Sequence, residues 1–147
     1  MRRNRLVWVL APLLASALVS CSGSSWGKEL KKDAHYGRAT MFYTENVDPA
    51  LAQKVFDRMI EANYNFASNL PEQLDRVDGR LVLRLGNDNE DSIADVIANG
   101  EESGVTNYMH GLAYFVSEAV GGESVDIILC RKTLDDPYYT VVWDEGK

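Results

Sequence analysis

Between residues 39 and 143 the apolar positions recur with two periods, near 3.6 and near 2, and each switch between them marks an element. ATMFYT (39–44), rich in β-branched and aromatic residues, predicts a strand. Asp48 and Pro49 then form a helix start, since proline at the first turn gives up an N–H that no carbonyl needs. Ala52, Val55, Phe56, Met59 and Ile60 follow at helical spacing, with Lys54, Asp57, Arg58 and Glu61 on the opposite side. Asp78-Gly79 is a hairpin signal between strands at 72–77 and 80–85; in the second, Leu81, Leu83 and Leu85 alternate with Arg80, Val82 and Arg84. A second helical region covers 91–120, opened by Ile93, Val96 and Ile97 and continued by Val105, Met109, Leu112 and Val116. Gly100 and Gly104 predict a break within it, and Gly121-Gly122 ends it. Strands at 125–131 and 138–143 close the series, the first with Val125, Ile127 and Leu129 on one face.

The predicted order is β-α-β-β-α-β-β, which without its last strand resembles the split βαβ pattern of the ferredoxin-like fold. The expected fold class is therefore α+β: a two-layer sandwich with an antiparallel sheet, two helices on one face and an extra C-terminal strand. YTENVDPALAQKVFDRMIEANYNF, with LDRVDGRLVLRL and VDIILC, also resembles an uncharacterised bacterial α+β domain of small membrane-anchored proteins. That resemblance brings no catalytic residues. With both helices on one side, the other side of the sheet would carry Phe42, Val82, Arg84, Ile128, Cys130, Thr140 and Val142. Apolar side chains among a few charges suit a protein contact surface; the competing reading is that the final strand, the termini or part of 91–120 covers them.

The first 21 residues follow a different rule. Arg2, Arg3 and Arg5 precede an apolar run of 14 residues, Leu6–Val19, long enough for a signal-peptide core and short for a span. Leu18-Val19-Ser20-Cys21 then resembles the lipobox of bacterial lipoproteins. The resemblance implies cleavage after Ser20, a diacylglycerol on the Cys21 sulfur and acylation of the new amino group. Two or three acyl chains hold a protein on a membrane at about 0.8 kcal/mol per buried CH₂. The expected organisation is a signal peptide over 1–20, a lipidated cysteine and flexible tether over 21–37, and one α+β domain over 38–147. The tether would reach roughly 20–25 Å. Trp26 with Lys28, Lys31 and Lys32 either rests at anionic headgroups or belongs to a solvated spacer.

Loss of residues 1–20 removes three arginines and no acid, so the formal charge moves from −7 to −10. Nucleic-acid binding needs the opposite sign and is excluded as a partner class. Lipid on Cys21 would leave Cys130, the second of two cysteines, without an intramolecular mate. Cys130 then reads as a small hydrophobe or, less simply, as a thiol for an intermolecular disulfide.

Chemistry is thinly represented. His35 falls in the expected tether and His110 beside the apolar stripe of its helix. No His-x-x-His, Cys-x-x-Cys, Gly-x-Ser-x-Gly, phosphate-loop or dinucleotide glycine pattern occurs, so no metal, cofactor or catalytic residue is assigned. Asp88-Asn89-Glu90-Asp91 invites calcium, but Ile93 and Asn99 stand where a calcium loop has glycine and a bidentate glutamate, leaving an acidic helix start. The connection TENVDPA lacks the arginine and glycine of acylphosphatases, and the paired cysteines of copper carriers are missing. The expectation is a lipid-anchored, non-enzymatic protein of the bacterial cell envelope, its domain outside the cytoplasm and bound to another envelope protein. The competing expectation is a small-ligand sensor or an enzyme using Asp135, Asp136, Tyr138 and Tyr139.

Overall fold

The computed structural model describes residues 26–66 and 70–144; the expected signal peptide and lipobox, with Cys21, lie outside them. Strand β1 (Lys28–Ala34) and strand β2 (Gly37–Tyr43) form an antiparallel hairpin, with Leu30 opposite Met41 and Lys32 opposite Ala39. Helix α1 (Pro49–Glu61) follows, its first turn held by the Asp48 carboxylate accepting from the N–H groups of Ala50 and Leu51 at 2.9 and 3.2 Å. Strands β3 (Glu72–Val77) and β4 (Arg80–Gly86) meet at Asp78-Gly79, whose φ values of 51° and 79° are those a two-residue hairpin turn demands. The second helical region divides into α2 (Glu90–Asn99), a 3₁₀ turn (Gly100–Glu102) and α3 (Gly104–Ala119). The break comes where Gly100 takes a φ of 52° and Ser103 caps the new helix through Val105 N–H. Strands β5 (Val125–Cys130) and β6 (Pro137–Trp143) end the described chain.

All six strands form one sheet in chain order, β1-β2-β3-β4-β5-β6. The α+β class stands, with three corrections to the expected detail. The sheet is mixed rather than antiparallel, because β2 runs parallel to β3 and β4 parallel to β5. A helical crossover returns the chain in the same direction, and each pair so joined lies side by side instead of being split by another strand. The sheet has six strands where a ferredoxin-like sheet has four. Finally, the residues assigned to a tether contain β1, so the folded body begins well before residue 38.

One row of strand side chains joins the helices in a single core. Met41, Tyr43, Leu74, Leu81, Leu83, Leu85, Ile127, Leu129 and Val141 cluster with Val55, Phe56 and Met59 of α1, Val96 of α2 and Leu112 and Val116 of α3. Each such side chain contributes about 1.5–3 kcal/mol by leaving water. β1 adds Leu30 and Ala34 to this row, and Lys32 on the same row pairs with Asp57 of α1 at 2.9 Å. Gly27 fixes the start of the strand: a Cβ there would stand 2.3 Å from the Tyr43 carbonyl oxygen. No helix among the described residues is long and apolar enough to cross a membrane.

Candidate functional site

Strand register settles which side chains share the row opposite the core. Phe42 stands across from Gln73, Gln73 from Arg84, Arg84 from Ile128 and Ile128 from Thr140. One step along, Asp75, Val82, Asp126 and Val142 form the next row. The seven residues singled out from sequence divide accordingly. Phe42, Arg84 and Ile128 are half-buried, Thr140 is exposed and Val142 is 51% exposed, so these five offer surface. Val82 and Cys130 do not, at 3% and 0% exposure.

Charged side chains roof the middle of this face. Arg84 donates to Gln73 Oε1 and Asp75 Oδ2, both at 2.9 Å. Asp75 also accepts from Thr44 Oγ1, from Asn46 Nδ2 at 3.2 Å and from the Arg76 N–H at 2.8 Å. Burial pushes the Asp75 carboxyl up, but the bonds from Thr44, Arg84, Asn46 and Arg76 outweigh it and hold it below the usual aspartate value. Beside it, Arg80 grips Asp126 with two bonds of 2.9 and 2.7 Å and reaches Asp144 at 2.9 Å. Val82 lies in the row between these two clusters. Trp26 packs on Phe42 with ring centroids 5.5 Å apart, and its carbonyl accepts from Gln73 Nε2 at 2.7 Å. The face is thus amphipathic, with a paired-charge centre and apolar margins at Trp26/Phe42 and Ile128/Val142.

Cys130 stays in register opposite Gly86, on the side of Ile128, and the register shift falls on β6, so it is the turn after β5 that buries it. Its sulfur lies 3.5 Å from the Leu134 carbonyl oxygen, and burial pushes the thiol up to about 11. A thiol so placed is protonated at neutral pH and behaves as a small buried apolar side chain.

The residues of the acidic-site alternative do not converge. Asp136 pairs with Arg131 at 3.3 Å, Tyr138 accepts from Asn87 at 3.2 Å, and Tyr139 donates to Glu101 at 2.8 Å on the 3₁₀ turn; Asp135 is exposed. Glu101 also faces His110 Nε2 at 2.7 Å, placing that histidine at the surface edge of α3. Asp88–Asp91 forms the start of α2, with Asn89 as cap and Glu90 and Asp91 in the first turn. Among the described residues no group of three or more histidines, cysteines or acids is placed to hold a metal ion.

Sequence reasoning missed one buried acid. Glu72 is 2% exposed, and its Oε2 has no partner among the described residues. Burial raises its pKa well above the ordinary carboxyl value, with the Tyr64 hydroxyl acting in the opposite direction. Tyr64 in turn lines a cavity of about 170 Å³ with Asn107, Tyr108, Gly111, Leu112 and Phe115 of α3. The available signal was parity: Glu72 shares the inward row with Leu74.

No family model, no curated protein and no solved structure matches this chain.

Proposed function

We propose that this chain is a lipid-anchored protein of the bacterial cell envelope, without a catalytic role, whose α+β domain docks another envelope protein. On this reading the domain is a two-layer sandwich with its helices on the core side of the sheet. The opposite side is the docking face. Lipidation of Cys21 follows from the resemblance of Leu18-Val19-Ser20-Cys21 to a lipobox and from the charge and length of the segment before it.

The observation that carries the docking assignment is the in-register row Phe42–Gln73–Arg84–Ile128–Thr140 on the side away from the core cluster. Its paired arginines and acids are ordered before a partner arrives, so little side-chain freedom remains to be lost on binding. Fixed charges there select partners and exclude like-charged ones, while Phe42, Ile128 and Val142 supply apolar contact.

A photocrosslinker at Val142 or Thr140 in growing cells tests this. A discrete adduct with another envelope protein supports the docking face, and its loss on Cys21→Ala supports the dependence on anchoring. Recovery of uncrosslinked monomer alone from both positions refutes it.

A further inference from the structure

The two edges of the sheet differ in chemistry. β1, at one edge, carries Lys28, Glu29, Lys31, Lys32 and Asp33 among its seven residues, a density of charge that keeps an edge from pairing. β6, at the other, reads PYYTVVW and carries no charge. Among the described residues none hydrogen-bonds to the outer side of its backbone. We propose that β6 pairs antiparallel with β6 of a second copy of this chain, about a twofold axis through Val141, joining two sheets edge to edge.

The register follows from where β6 is regular. Leu129 pairs with Tyr139 and Cys130 with Pro137, so Tyr138 drops out of the ladder and the unbroken stretch is Tyr139–Trp143. Val141 is its middle residue. Antiparallel pairing about that point sets Val141 against its own copy, Thr140 against Val142 and Tyr139 against Trp143. Partners two or four residues apart in the strand point to the same face, so the helices of both copies stay on one side. Aromatic pairs and β-branched pairs are among those that stabilise neighbouring antiparallel strands. A centre at Thr140 is worse on two counts. It would draw Tyr138 into the ladder and set Asp136 against Asp144, two acids face to face.

The side chains are ready for this contact. Thr140 is exposed and Val142 is 51% exposed. Trp143 meets Tyr114 of α3 edge-on at 5.8 Å, and the Tyr139 hydroxyl donates to Glu101 at 2.8 Å. Both aromatic members are thus held before pairing, which leaves little freedom to lose.

Symmetry and charge name the occupant. A second β6 presents the same residues in reverse order, so each favourable pair off the axis is made twice. The chain carries a formal charge of −7, which opposes the approach of another copy over most of its surface. Tyr139–Trp143 is a stretch where that opposition is locally absent. Pairing there also closes the assembly: the joined sheet ends in β1 on both sides, and the charges of β1 stop further addition. Five paired positions per copy make a small interface, in the class below about 1,200 Å² where association is transient. The dimer therefore exchanges with monomer. It uses the edge of the sheet, so it stands or falls separately from docking on the face.

The test is sedimentation velocity of the purified full-length chain in detergent over a range of protein concentrations. A monomer–dimer equilibrium is expected. Thr140→Lys with Val142→Lys in one chain puts lysine opposite lysine twice and should weaken dimerisation at least about tenfold. The domain should keep its far-ultraviolet circular dichroism, because both side chains are exposed. Thr140→Lys with Val142→Glu instead sets opposite charges across the axis and should restore the dimer. Wild type that stays monomeric throughout, a double-lysine variant that dimerises like wild type, or a lysine–glutamate variant that remains monomeric would each overturn the proposal.

Discussion

Glu72 stands directly across from Leu85 of β4 in the inward row, 2% exposed, and that burial raises its pKa well above the ordinary value. Linkage fixes the consequence. Unfolding lets Glu72 return to a pKa of about 4.3, so above that pH the unfolded state holds fewer protons than the folded one and stability falls as pH rises. Glu72→Gln removes this slope. Thermal melts from pH 5 to 8 should show wild type losing ground steadily against the variant; parallel curves would mean the carboxyl is ionised in the fold.

Asp75 gives the opposite sign. Its carboxyl is held low by Thr44, Arg84, Asn46 and Arg76, so its stabilising effect is complete above its unfolded pKa of about 3.9. It is lost as pH falls through the lower folded value. Asp75→Asn should cost about 2 kcal/mol at pH 7, measured by urea denaturation, and should flatten the acid limb of the stability profile.

Leu83 sits at the centre of the inward row, fully buried between Leu74 and Ile127 of the neighbouring strands. Leu83→Ala should lose about 3 kcal/mol in the same assay. A loss below 1 kcal/mol would show a core loose enough to close around the gap.

β1 is an integral strand, which sets a fourth expectation. A chain starting at residue 38 should melt well below one starting at residue 26, because β2 loses its whole antiparallel partner. Gly27→Ala should reproduce part of that loss, its methyl meeting the Tyr43 carbonyl. Equal melting of the long and short chains would return residues 28–34 to the role of spacer.

The helices and hairpins that were legible carry their own local chemistry: Asp48 and Pro49 for α1, Asp78-Gly79 for β3–β4, Gly100 and Ser103 for the division before α3. What escaped the sequence depends on neighbours. β1 reads KELKKDA, and only Leu30 and Ala34 mark its inward row; cross-strand pairing with β2 makes it a strand, and a charged edge strand resists unwanted pairing. The chain order of the sheet was equally hidden, since periodicity reports that a strand exists and not which strand lies beside it. At the sheet face, alternation put Phe42, Arg84, Ile128, Thr140 and Val142 on the side away from the core. It gave no warning that Cys130 is buried against the Leu134 turn or that ion pairs cover Val82.

The early start of β1 also constrains geometry at the bilayer. Lys28 is seven residues from Cys21, a separation of at most about 25 Å even when fully stretched, and Trp26, packed on Phe42, is closer still. With acyl chains on Cys21, the protein would be moored with little slack, and the corner bearing Trp26 would ride beside the headgroups. A partner for the neighbouring sheet face would then have to approach sideways, along the membrane plane.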